Sequence, residues 1–461
     1  MNICDVRKEY RTIRAALPWL DAWHSVGTRP FAAAHGLTMP AVDLPAAGTC
    51  TLPDPDGNPV ILKALEYPVD QVEEILKQYP GQNFIYATCD RKLIYDRLKL
   101  RRLAAEYDNF YICTANFTPC MLILEEFYGL GLTGKLVYGS ALPLFSEEAS
   151  LGPVVLSSLP WQVKCDIAGN TLRRLLKQPE IPVPEIPFEI TGPILIDTHM
   201  HFSMNPASGR VRQPASYWRW PEWRGYMDSS LTRIAISTPS ELLHNKYDRD
   251  PADILSKVRQ ICRDSGGRFR FYAAFNPNFA EIDRQIVEAA LPMEECMGIK
   301  IHPASHKVGG DDGRYDIAFA AAENAGKVIM THSWEDSSYN PVQKLTLPSL
   351  FEKHLKKHPK VKFTLGHAGG RPSTMDDVIR ICRTYPNVRV DLSGDYFHDG
   401  MIETLTAGAG ADRILFGTDA FWFNAFAVLG MLLGSKITDS ELELITHVNA
   451  EKLYGIQAGG D

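Results

Sequence analysis

From residue 193 onward, short apolar runs rich in β-branched residues alternate with longer stretches whose apolar positions recur at helical spacing. The runs are Pro193–Thr198, Thr232–Ser237, Phe269–Phe275, Gly298–His302, Val328–His332, Lys362–His367, Val388–Leu392 and Arg413–Thr418. Several are apolar at nearly every position, as strands buried on both faces must be. Between them, Pro251–Asp264, Asn278–Ala290, Pro348–Lys357 and Met375–Thr384 read as amphipathic helices, and such alternation is the mark of βα units around a parallel sheet. Eight units in this span predict an α/β fold of the (β/α)8 TIM-barrel type. An open doubly wound sheet is the alternative, but no glycine-rich nucleotide loop follows the first strand.

Just upstream, Pro179, Pro182, Pro184 and Pro187 fall within residues 178–190. Prolines at that density oppose helix and sheet interior and favour an extended connector, so a domain junction is placed there and the barrel at 191–461. The region before it echoes the barrel. Leu136-Val137-Tyr138-Gly139-Ser140-Ala141 aligns with Ile414-Leu415-Phe416-Gly417-Thr418-Asp419, and Tyr107-Asp108-Asn109-Phe110 with Tyr385-Pro386-Asn387-Val388. Asn170 to Leu175 likewise matches Asn449 to Leu453. Residues 59–177 therefore read as a degenerate half-barrel repeating strands five to eight, after a leader of residues 1–58. The copy lacks chemistry: Ala64 falls near the place of His332, Thr88 or Cys89 near that of His367, and Ala141 at that of Asp419. Packing, oligomerisation or partial covering of the barrel mouth are the roles left to it.

A length of 461 residues favours two domains, and 45% hydrophobic with 22% charged residues is the mix of a soluble globular protein. A net charge of −7 without a long Lys/Arg run excludes the footprint of a nucleic-acid binder and favours a small-molecule substrate. The nine cysteines are scattered, with no CxxC spacing, which argues for reduced thiols and a cytoplasmic location. Neither a signal peptide nor a membrane-spanning run is read from the sequence. A homo-oligomer is allowed.

In a parallel barrel the C-terminal ends of the strands converge on one mouth, so polar residues that end apolar runs are the place to look for chemistry. His199 and His201 end the first strand and, being two apart, point the same way. His332 ends the fifth strand, His367 the sixth and Asp419 the eighth. Neutral imidazoles with one carboxylate suit Zn²⁺, and also Mn²⁺, Fe²⁺ or Co²⁺, with a coordination position left for water. Such an ion would lower the pKa of that water and polarise a substrate oxygen.

This constellation resembles the amidohydrolase superfamily, and within it the amidohydrolase-related branch that includes aminocarboxymuconate-semialdehyde decarboxylase. The residues carrying the resemblance are His199-Met200-His201, Gly298-Ile299-Lys300-Ile301-His302-Pro303, His332, Gly366-His367-Ala368-Gly369-Gly370 and Phe416-Gly417-Thr418-Asp419. It implies that His199, His201, His332 and Asp419 hold one divalent metal, most simply Zn²⁺, and that His367 and Asp419 handle water or a proton. Some superfamily members hold two metals bridged by a carboxylated lysine on strand four, where Lys300 stands.

Lys300 and its same-face neighbour His302 are assigned to substrate contact or to support of the ligands, against a structural salt bridge for Lys300 and a strand cap for His302. Arg371 and Trp334 are candidate substrate contacts on the rim. Arg212, Trp218, Arg219, Trp220, Trp223 and Arg224 follow strand one and could cover the mouth. Asp391 and Asp395 are read as a loop carboxylate and a helix cap. The leading function is metal-assisted hydrolysis of an amide, lactone or ester carbonyl. The alternatives are non-oxidative decarboxylation of a small carboxylic acid and non-catalytic binding of a small molecule.

Overall fold

The computed structural model describes residues 2–22, 42–43, 57–64, 66–88, 93–115, 117, 120–140, 145–187, 192–202, 220–243, 250–337, 340–394, 398–420 and 422–456. Two parallel sheets organise them. The first has strands β1 (Val42–Asp43), β2 (Val60–Lys63), β3 (Phe84–Ala87), β4 (Phe110–Cys113) and β5 (Leu136–Val137), adjacent in that order. Its first strand lies ahead of residue 59, so the N-terminal sheet starts earlier than the sequence pattern indicated.

The second sheet comprises β6 (Leu195–Met200), β7 (Thr232–Ser237), β8 (Phe269–Ala274), β9 (Cys296–Ile301), β10 (Val328–Thr331), β11 (Lys362–Leu365), β12 (Val388–Asp391) and β13 (Ile414–Leu415), again in chain order. A parallel bridge between Met200 and Ala420, with hydrogen bonds from Thr198 N to Phe416 O and from Asp419 N to His199 O, joins the first strand to the last. The sheet is thus a closed barrel. The intervening helices Pro251–Asp264 and Met375–Thr384 fall where the apolar spacing put them.

Alternation along each strand sorts side chains between two environments. Val388, Val390 and Leu392 face the layer between strands and helices, as do Ile299 and Ile301. Ile196, Ile234, Val328 and Leu415 fill the closed end of the barrel under Ala450 and Leu453 of the C-terminal helix. The opposite end, where β6, β9, β11, β12 and β13 stop, is left to polar groups.

The proline-rich segment 181–187 has no helix or strand and is fastened to the N-terminal region by Trp161 Nε1 donating to Val183 O, at 2.9 Å. Cysteines among the described residues are free thiols. No helix of the described residues is long and apolar enough to cross a membrane.

Candidate metal centre

The first strand presents His199 and His201 in the same orientation, as their spacing requires. Each is gripped at Nδ1, which leaves Nε2 inward. His199 Nδ1 lies 3.0 Å from Asp391 Oδ2 and 2.8 Å from Ser393 Oγ, and His201 Nδ1 lies 3.2 Å from Thr238 O. Partners that accept at Nδ1 fix the proton there and expose a lone pair at Nε2, the orientation a metal-binding imidazole needs. Asp419 closes the group, with Oδ1 at 3.0 Å from His201 Nε2 and 3.9 Å from His199 Nε2.

Donors around a tetrahedral ion with bonds of about 2.1 Å stand about 3.4 Å apart, and the two distances straddle that value. All three side chains are buried, and their donor atoms form one of two clusters able to hold a metal among the described residues. The second cluster is His199, His367 and Asp391. Lys300 Nζ lies 2.8 Å from His199 Nε2, so a cation already faces this donor set. The residues fit a divalent metal.

Burial dominates the electrostatics. It pushes the His199 and His367 imidazoles well below the usual histidine range, helped at both by Lys300 and His332, at His199 also by His201 and at His367 also by His199. It raises the Asp419 carboxyl against the opposing pull of His201. Lys300 is 1% exposed, and desolvation lowers it to about 8, offset in part by Asp391 and Asp419. At neutral pH the His199 and His367 imidazoles are therefore neutral, while burial works against the Lys300 charge.

His332 stands slightly apart. Its ring makes an edge contact with His367, centroids 4.6 Å apart, but its Nε2 is 3.0 Å from Gln343 Oε1, and it belongs to neither converging cluster. It is part of a stack of planar groups. His302 stacks on it at 4.1 Å and Trp334 lies parallel at 5.7 Å. The Arg371 guanidinium lies over the Trp334 ring at 4.8 Å and donates to Gly370 O. Trp334 is thus buried as a packing plate, and Arg371 leans on it. His302 also caps the short turn after β9, its Nδ1 accepting from Ser305 N.

Asp391 corrects the reading of it as a loop carboxylate. It is 0% exposed at the end of β12, and besides His199 it accepts from His367 N, Ser393 N and Ser393 Oγ. The signal was available in the alternation: Arg389, Asp391 and Ser393 interleave with the apolar Val388, Val390 and Leu392. His367 and Asp419 both adopt left-handed backbone, φ 64° and 58°, a conformation that non-glycine residues hold only where the surroundings enforce it. Gly366 permits the close approach beneath His199, since a Cβ there would sit 3.1 Å from His199 Cε1.

Of the aromatic and basic residues after β6, Trp223 is not at the mouth: it is 2% exposed and packs edge-on against Phe269. Arg224 is exposed beside Asp228. Arg212, Trp218, Arg219 and Asp395 lie outside the described residues, as do Cys89 and Ala141.

The sequence model of the amidohydrolase family matches residues 196–456, more than half of the chain. The chain belongs to this family. The matched segment of the amidohydrolase is the barrel with all the inward residues above. Its fold is similar to that of 5-carboxyvanillate decarboxylase from Sphingomonas paucimobilis, at 14% identity, TM-score 0.46, over 57% of this chain and 99% of that one. It is similar also to 2,6-dihydroxybenzoate decarboxylase from Rhizobium, at 15% identity, TM-score 0.44, over 58% and 99%. A third likeness is to a dihydroxybenzoic acid decarboxylase from Polaromonas with bound manganese, at 16% identity, TM-score 0.45, over 58% and 98%. No curated protein sequence matches the chain.

Proposed function

We propose that this amidohydrolase-family protein is a metal-dependent enzyme that removes CO₂ without oxidation from a small carboxylic acid. The observation that carries this is Lys300: a lysine only 1% exposed with Nζ 2.8 Å from His199 Nε2, among imidazoles that burial keeps neutral. A cation in a low-dielectric site selects an anion, and a carboxylate is the anion that this chemistry consumes; with the ion on His199 Nε2, the Lys300 ammonium would turn to face that carboxylate. The likeness to aromatic-acid decarboxylases concerns the fold alone.

His199, His201 and Asp419 would hold the ion, Zn²⁺ or Mn²⁺, with His332 a further donor once released from Gln343. The ion would supply Lewis acidity, polarising a substrate oxygen. Asp391 and Thr238 O keep the two histidines in the required tautomer. Breaking the bond to the carboxylate leaves an electron pair on carbon, which must take up a proton as CO₂ departs. Lys300, buried with its Nζ beside the donor set, is placed to give that proton. His367, pushed far down by burial, is poorly suited to donate and is placed to orient the substrate.

Hydrolysis of a carbonyl compound through activated water is the second reading, and family membership favours it. Loading the protein with Zn²⁺ or Mn²⁺ and incubating it in D₂O with small aromatic and unsaturated carboxylic acids separates the two. Release of CO₂ with one deuterium at the vacated carbon supports decarboxylation. Turnover of lactones or amides with no CO₂ from any acid rejects it.

A further inference from the structure

The N-terminal region and the second half of the barrel share more than a pattern of residues. The offset that separates β5 at Leu136 from β13 at Ile414 also separates the 3-10 turns starting at Thr133 and Ala411, the helices starting at Glu147 and Ala425, the helices starting at Trp161 and Asp439, and the π-helical turns starting at Asp166 and Leu444. Individual bonds repeat at the same spacing. Tyr138 N donates to Ile167 O as Phe416 N does to Ile445 O. Arg102 and Tyr107 meet Glu73 as Arg380 and Tyr385 meet Glu352, the arginine and tyrosine at that spacing and the glutamate one residue beyond it.

Even the first strand has a counterpart. Asp21 accepts from Ser140 N and Oγ just as Asp197 accepts from Thr418 N and Oγ1. Leu20 N and Ala22 N pair with Ala168 O and Tyr138 O, so residues 20–22 lie beside β5 where β6 lies beside β13.

The two copies meet through equivalent surfaces. A Cβ on Gly152 would lie 2.2 Å from Phe426 O and 2.9 Å from Gly430 Cα, and one on Gly430 would lie 2.6 Å from Glu148 O and 2.7 Å from Gly152 Cα. Glu148 corresponds to Phe426 as Gly152 does to Gly430. The contact is therefore reciprocal: residue i of one copy touches residue j of the other and the reverse, which is the definition of a two-fold interface.

Both helices are buried on every side, at Ala149–Leu156 and Ala425–Leu433, so each depends on the other copy for cover. The Ile3–Ala16 helix ties the pair: Arg7 donates to Leu432 O and Ile437 O, and Tyr10 OH to Glu148.

We propose that residues 17–175 are a built-in partner subunit: a duplicated half-barrel without ligands that docks on the catalytic barrel as the second subunit of a homodimer would. The covered face is the helix Ala425–Gly434, which follows directly from the Asp419 loop. The protein then works as a monomer with one metal centre per chain, and the N-terminal copy holds in place the helix that follows the Asp419 loop. This rests on packing alone and is independent of the reaction catalysed.

Sedimentation of the full chain across the micromolar range, with thermal unfolding of glycine variants, tests it. The wild type is expected to sediment as a single species of 51.5 kDa. Gly152→Ala and Gly430→Ala are each expected to lower the melting temperature by several degrees and by similar amounts, with the double variant losing less than the sum. Gly81→Ala, where a Cβ meets nothing within 4 Å, is expected to change nothing. A stable wild-type dimer overturns the proposal, and so does a melting temperature unmoved by either interface variant. A variant that fails to fold leaves the mass of the wild type to decide.

Discussion

The Asp391 carboxylate lies 3.0 Å from His199 Nδ1 and reaches the backbone N–H of His367 from its other oxygen, also at 3.0 Å. One buried acid therefore sets the tautomer of the first histidine and the backbone position of another. Partners of this kind typically contribute 10- to 100-fold to metal affinity. Asp391→Ala is expected to weaken metal binding by about that factor with the fold retained, measured by competition with a chelator. Wild-type affinity in that variant would return Asp391 to a purely structural role.

Removing a direct donor should act more severely. Asp419→Ala and His201→Ala each delete one of three converging donors, and elemental analysis of the purified variants is expected to find almost no metal where the wild type carries about one equivalent. His332→Ala is expected to lose less, because its Nε2 is engaged by Gln343. Full occupancy in both Asp419→Ala and His201→Ala would relocate the centre.

His367 is expected to separate binding from turnover. It touches the site without belonging to the His199, His201 and Asp419 group, so His367→Gln should retain metal while kcat falls by about 10²-fold, the scale of a misplaced substrate. Loss of metal together with activity would make it a ligand instead.

Lys300 gives a pH signature. Its folded value is about 8 against about 10.4 for an unfolded lysine. Between those values the unfolded chain holds a proton that the folded chain has released, so the metal-free protein should gain stability as pH rises from about 8 to about 10.4 and carry the full penalty below that window. Lys300→Met should lack this rise. Parallel stability curves for the two proteins, followed by urea denaturation, would show that the ammonium is not strained by burial.

Trp334 is 2% exposed beside His332 and Arg371. Trp334→Ala is expected to cost about 3–5 kcal/mol of folding stability, as truncation of a buried tryptophan does. Chemical denaturation measures it, and a loss below about 1 kcal/mol would mean that the plate contributes little to packing.

The sequence by itself determined the barrel, because strands buried on both faces must be apolar throughout and the helices between them must be amphipathic. It determined also that His199, His201 and Asp419 meet, since closure of a parallel barrel brings all strand ends to one mouth. The proline-rich run at 178–190 and the likeness of Leu136–Ala141 to Ile414–Asp419 are local patterns of the sequence.

What lies between strands and between the two sheets came from the three-dimensional packing. Whether Asp391 turns toward His199 or solvent, whether Lys300 reaches the ligands, and whether Arg371 faces the mouth or Trp334 depend on contacts between residues far apart in the chain. The meeting of Gly152 with Gly430 is of that kind too. A glycine in a helix reads as a small loss of helix propensity, and only the backbone packed against it shows that no side chain would fit.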